Sequence, residues 1–220
     1  MADRVKADPQ PEAGDPATGT RHHILVIASD LFAIHGYHGT TTREIAEAVG
    51  IRQPSLFHHF PSKSAIMEAL LEHDLMVAVP AAERIARSSG SAPARLYAYL
   101  VQDVEHLTTS DYNLTGVYTE EMRSSPEFVR WHSLRHRVHE VIETIVEDGR
   151  AAGDFLPFPA PFVREAILGI LGRAIARHSG RRTPPDPRLP DDVSTVVLRG
   201  LLVDPRQMES VRKEGRSLGG

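Results

Sequence analysis

The chain has 220 residues, with 25 Lys and Arg against 29 Asp and Glu, 12 His, no Cys and a formal net charge of −4. Without cysteine there is no disulfide, no thiolate metal site and no cysteine nucleophile, which fits a reducing compartment. No apolar run approaches the roughly 18 residues a membrane span needs and the N-terminus lacks a signal peptide's apolar core, so a cytoplasmic protein with no membrane partner is expected.

Residues 1–19 carry three prolines, mixed charge and no apolar periodicity, the composition of a disordered tail. Thr20 is placed to cap a first helix reaching about His35, with Ile24, Leu25, Ile27, Ala28, Leu31 and Phe32 on its buried side. Thr41 and Glu44 then form a capping box, Ile45, Ala46 and Val49 repeat at helical spacing, and Gly50 ends that helix in the left-handed region. A second short helix comes next, with Gln53 as its cap and Pro54 at its first helical position. Leu56, Phe57 and Phe60 give it an apolar side, and Pro61 stops it.

Two short helices around a tight turn make a helix-turn-helix, whose second helix can enter the major groove of double-stranded DNA. Gln53, Pro54 and Ser55 would meet base edges while Thr42, His59 and Lys63 lie along phosphates, and Arg43 can reach either. The competing reading is a helical hairpin inside an all-α bundle, with Phe57 in the core. Residues 20–63 hold four basic against three acidic side chains and six of the twelve histidines, so the acidity of the chain lies away from this face. Binding would then rely on helix N-termini, a few cations and hydroxyls.

From Ser62 a long amphipathic helix runs to about Arg87, with a kink expected at Pro80. Further helical patterns lie at about 94–109, 114–124 and 126–152, the last ended by Gly153. His132, His136 and His139 recur along that last helix, opposite its apolar stripe, where solvent or a partner is expected rather than a metal. His139 to Glu143 also fails the zinc-protease pattern, since glutamate stands where the second histidine belongs. Residues 161–178 and 191–203 are apolar on several sides, which asks for burial by a second copy of the chain. Ile167, Leu168, Leu171, Gly172, Ile175, Val196, Val197 and Leu201 are the candidate interface. The linker 180–190 and the tail 205–220 are expected to be mobile, and no repeat or strand is evident.

Residues from about Arg21 to Met67 resemble the DNA-binding domain of the TetR family of transcriptional regulators. Arg21, Ile24, Leu25, Ala28, Leu31, Phe32, Gly36 and Tyr37 match its first helix and turn. Thr41, Thr42, Ile45, Ala46, Val49, Gly50 and Ile51 match the second helix, and Pro54, Ser55, Leu56, His59, Phe60, Ser62 and Lys63 the recognition helix and the entry to the fourth. Phe57 and His58 depart from the pattern, standing where tyrosine or another large aromatic is common, so a phenolic contact to phosphate is not expected there. The resemblance covers about a fifth of the chain and implies a dimer on a palindromic operator, dimerised through the last two long helices and released by a small molecule.

The sequence thus predicts an all-α protein of about nine helices, with a three-helix helix-turn-helix domain at 20–64 and a helical ligand-binding and dimerisation domain at 65–204. Its function would be that of a ligand-responsive regulator, a repressor, with no cofactor. A helical enzyme is the rival reading, but no glycine-rich phosphate loop or nucleophile elbow supports it. An adaptor with a protein effector is the third. Tyr97, His106, Tyr118, Glu121, Arg123 and Trp131 are the candidate ligand-binding residues, and no ligand is assigned from them.

Overall fold

The computed structural model describes residues 16–119, 122, 124–178 and 186–219. Among these the protein is built of nine α-helices and short 3-10 turns, with one isolated antiparallel bridge between Phe155 and Leu202. The candidate residues Glu121 and Arg123 and most of the 180–190 linker lie outside the described residues.

Helix α1 (Pro16–Gly39) begins earlier than expected and continues past His35, broken only at Gly36. Ile24, Leu25, Ala28 and Phe32 are buried along it at three- and four-residue spacing. Helices α2 (Thr42–Val49) and α3 (Gln53–His59) pack on α1 through Ile45, Ala46 and Leu56, closing a small core with Phe32, Tyr37 and Phe60. Helix α4 (Lys63–Ala86) starts from a Ser62 cap whose hydroxyl accepts from Ala65 N–H at 3.1 Å. It runs without a break through Pro80, so the expected kink does not interrupt it. Its apolar stripe joins the α1 core at Ile66 and Met67 and the second domain at Leu75, Val79 and Ile85.

Helix α5 (Ala92–Thr109) is the axis of the second domain, buried almost from end to end among α4, α6 (Val129–Ala152), α7 (Ala160–His178), α8 (Leu189–Leu201) and α9 (Met208–Leu218). Where a helix was expected at 114–124, Leu114–Gly116 is a 3-10 turn resting on α1, Met122 and Ser124 are helical, and residues 120, 121 and 123 lie outside the described residues. The helix expected from Pro126 starts as a 3-10 turn and becomes α-helical at Val129. The turn at 113–116 fastens the two domains: Asn113 N–H donates to the Ser29 hydroxyl at 2.9 Å, and its amide donates to Asp30 at 3.1 Å. Gly116 lies so close to α1 that an added Cβ would stand 2.5 Å from the Ala33 nitrogen.

The end of the chain corrects the expectation of a flexible tail at 205–220. Pro205–Gln207 forms a 3-10 turn and α9 docks on α5, burying Met208, Val211 and Gly215. Arg212 holds Asp191 of α8 through bonds of 2.8 and 3.1 Å, and Tyr97 donates to the same carboxylate at 2.6 Å. The Leu218 carbonyl accepts from Arg84 at 2.9 Å, and Glu214 accepts from Ser91 N–H at 2.7 Å. The second domain therefore extends through residue 218.

Candidate functional site

At the N-terminal domain, α2 is set by the capping box in full: Glu44 N–H donates to the Thr41 hydroxyl at 3.1 Å, and Thr41 N–H to the Glu44 carboxylate at 3.3 Å. Gly50, at φ 80°, turns the chain, and its N–H closes on the Ala46 and Glu47 carbonyls. Helix α3 begins one residue earlier than expected, with Arg52 as its N-cap and Gln53 as its first residue. Burial of Leu56 orients the helix and leaves Gln53, Pro54, Ser55, Phe57 and His58 exposed, with His59 half-buried. Phe57 is 42% exposed, which removes it from the core.

The polar side chains of this face are already organised. The Gln53 amide donates to the Thr42 hydroxyl at 3.0 Å, bridging the two helices and fixing the rotamer that faces outward. Arg43 is paired with Glu47 at 2.9 Å, so a DNA contact by its guanidinium has to replace or share that pair. Lys63, expected along phosphate, is engaged within the protein. Its ammonium donates to the Tyr37 and Thr40 carbonyls at 2.6 and 2.9 Å and lies over the Tyr37 ring, where it caps the chain leaving α1.

In the second domain a cavity of about 390 Å³ lies among α4, α5, α6 and α7. Leu75, Ala78, Leu107, Val138, Leu168 and Leu171 supply its apolar walls. Its polar groups are Asp74 and Tyr118, Tyr99 and Asp103, and Arg135, His139 and Glu165. Asp74, 1% exposed, accepts from His106 at 2.9 Å and from the Tyr118 hydroxyl. That bond to Asp74 holds the His106 imidazole above its ordinary value against the opposing effect of burial. Burial, with Asp74 close by, pushes the Asp103 carboxyl up to about 7. Burial, with Arg135 alongside, pushes His139 down to about 4. Burial raises the Tyr99 and Tyr118 phenols well above their usual range, so both remain neutral donors.

Of the expected ligand-binding residues, Tyr118 lines this cavity and His106 stands behind Asp74. Trp131 packs in the core beside it, and Tyr97 faces α8 and α9 in the Asp191 cluster. The three α6 histidines take separate surroundings instead of one solvent-facing row. His132 bonds the Met122 carbonyl at 2.9 Å, His136 pairs with exposed Glu140 at 3.5 Å, and His139 turns into the cavity. Asp74, Tyr99, Asp103, Arg135 and Glu165 were not singled out by the sequence, although a charge at Asp74 within the Leu70, Leu71 and Leu75 stripe is a signal of this kind.

The residues expected at the interface on α7 and α8 differ in exposure. Ile167, Leu171 and Leu201 are 1%, 4% and 3% exposed and belong to the protomer's own core, because α7 and α8 turn these faces inward. Leu168 and Val197 are half-buried against that core, and the Ile175 side chain lies outside the described residues. Val196, 65% exposed, faces outward together with Phe162 and Val203, while Gly172 is exposed and also lines the cavity.

The sequence profile of the bacterial regulatory proteins of the tetR family matches residues 24–70, which span α1 to the first part of α4. The HTH-type transcriptional repressor KstR2 of Rhodococcus jostii (strain RHA1) is 30% identical over 150 residues, covering 66% of this chain and 73% of that protein. This chain belongs to the TetR family. The family is one of transcriptional regulators, and the part of the chain its profile matches runs from α1 into α4. The similarity extends over the whole fold: the crystal structure of Mycobacterium smegmatis AmtR superposes with a TM-score of 0.73 at 28% identity, covering 96% of this chain and 98% of that one. AibR in complex with isovaleryl coenzyme A and operator DNA shares the TetR fold at a TM-score of 0.66 and 17% identity, over 84% of this chain and 98% of that one. Among the described residues no helix is long and apolar enough to cross a membrane.

Proposed function

We propose that the protein is an effector-responsive transcriptional repressor that binds an inverted-repeat operator as a twofold dimer and leaves it when a small molecule fills the second domain. The observation that carries this is the cavity of about 390 Å³ walled in part by α4, the same helix that packs on the DNA-reading unit at Ile66 and Met67. A ligand preferring one placement of α4 shifts the spacing of the two recognition helices, which must stand about 34 to 36 Å apart to meet successive major grooves. A tenfold loss of operator affinity needs only about 1.4 kcal/mol of differential binding. AibR, which shares the fold, has been crystallised with both an acyl coenzyme A and operator DNA. KstR2 is described as a repressor.

On the DNA side Gln53, Pro54 and Ser55 are the base-reading candidates, with Thr42, Arg43, Phe57, His58 and His59 around them. The dimer forms through the outward faces of α7 and α8, where Phe162 and Val196 are 61% and 65% exposed, together with Val203 just after α8, 56% exposed. Apolar side chains of that size, left in water on neighbouring stretches of chain, mark a surface for association. Two measurements test the reading. The purified protein should retard its own promoter DNA and release it on adding the small molecule that native mass spectrometry finds bound in cell extract. Light scattering should give a dimer for the wild type and a monomer for Val196→Glu, and a monomeric wild type at micromolar concentration overturns the dimer.

A further inference from the structure

We propose that the cavity takes an organic cation, a protonated amine carried on an apolar body, with its ammonium seated on the Asp103 carboxylate. The proposal rests on reading the cavity as the effector site and adds the chemical class of the effector.

The charges that face the cavity decide it. From α4, Asp74 has both oxygens engaged, one by His106 of α5 at 2.9 Å and the other by the Tyr118 hydroxyl of the turn. From α6 and α7, Arg135 and Glu165 carry opposite charges, and His139 stays neutral, its value pushed down to about 4 by burial and by Arg135. Asp103 of α5 has no cation bonded to it among the described residues: its hydrogen-bond partner there is the Tyr99 hydroxyl, at 3.3 Å, which donates to one oxygen, while the His106 charge, already bonded to Asp74, acts on it only through space. A partly buried carboxylate with no cation bonded to it and a second carboxylate, Asp74, nearby is costly, and it answers that cost by holding a proton or by accepting a positive ligand.

Asp103 does the first in the absence of a ligand, with burial and the nearby Asp74 charge raising it to about 7. A bound ammonium does the second, replacing the proton and supplying a charge-assisted hydrogen bond. Leu75, Ala78, Leu107 and Val138 supply the apolar surface for the rest of the molecule, and about 390 Å³ admits a drug-sized body. Neither a neutral nor an anionic molecule of the same shape relieves Asp103. Because ligand and proton compete for one carboxylate, amine binding should strengthen as pH rises from about 6 to about 8, with a proton released at neutrality.

The test is calorimetric titration of the full-length protein with phenylbutylamine, phenylbutanol and phenylbutyrate, using wild type, Asp103→Asn and Leu168→Trp, the last to fill the cavity. The amine should bind the wild type at least about tenfold tighter than the alcohol, with its preference growing with pH. Asp103→Asn should abolish that preference while leaving the alcohol unchanged, which also shows that the variant is folded. Equal affinities for all three probes, tightest binding by phenylbutyrate, or a preference that survives Asp103→Asn overturns the cation while leaving the cavity as the effector site. No binding by any probe, or binding untouched by Leu168→Trp, overturns both.

Discussion

Gly116→Ala tests the junction between the two domains. The new Cβ would stand 2.5 Å from both the Ala33 nitrogen and the Phe32 carbonyl carbon, and 2.9 Å from the Phe32 Cβ. The two nearest atoms are backbone of α1, which carries the core of the DNA-reading unit and cannot swing aside as a side-chain tip would. Reaching ordinary contact requires the turn to lift by about 1 Å, a displacement that forfeits a quarter to a half of the dispersion energy across the gap. It also strains the Asn113 bonds to Ser29 and Asp30. Overpacking of this kind costs about 1 to 3 kcal/mol, or about 2 to 12 °C in Tm for a chain of this length. Thermal unfolding monitored by circular dichroism measures it, with Gly19→Ala as the control, because a Cβ there meets nothing within 4 Å. An unchanged Tm for Gly116→Ala, or an equal fall for Gly19→Ala, refutes the close-approach reasoning.

Gln53→Ala should keep the fold and cost about 1 to 3 kcal/mol on the preferred operator, relaxing one symmetric pair of positions in DNA selected from a random pool. Selection of the same bases with the same stringency removes Gln53 from base reading. Lys63→Ala should lower stability by about 1 to 3 kcal/mol, through the uncapped Tyr37 and Thr40 carbonyls, and leave the salt slope of operator binding unchanged. A slope shallower by about one would instead make Lys63 a phosphate contact. At Asp191 burial pushes the carboxyl up, but the Arg212 and Tyr97 hydrogen bonds outweigh it and hold it below its ordinary 3.8. The stability from that pairing is therefore present above about pH 4 and lost as pH falls through the depressed value, so Arg212→Ala should cost about 1 to 3 kcal/mol at neutrality and little in acid, as chemical denaturation would show.

The helix-turn-helix was legible because its signals are local: the Thr41 and Glu44 box and Gly50 act within four residues and appear as the sequence implies, while Pro54 still falls in the first turn of α3, one position later than read. The role of Lys63 was not legible, since the carbonyls it caps lie 23 and 26 residues away and only the fold brings them together. In the cavity, Asp103 reads in the sequence as an ordinary charged face of a helix. Its partial burial at the cavity results from α5 being surrounded, which no periodicity within α5 reports. The interface residues Ile167, Leu171 and Leu201 were apolar as read, but a helix pattern does not say whether the covering surface is the protomer's own. The last helix had a signal in Met208, Val211, Gly215 and Leu218 at three- and four-residue spacing, outweighed by the charge around it.

That last helix also sets an order of events during synthesis. The α5 face at Ser91 is completed by Glu214, 123 residues further on, and the Leu218 carbonyl is bound by Arg84 across 134 residues. The helix-turn-helix, by contrast, closes on contacts made within the first third of the chain and can fold while the rest is still emerging. The second domain stays open until residues 208–218 leave the ribosome, so a nascent chain holds its helix-turn-helix before Asp191 and Tyr97 have met Arg212.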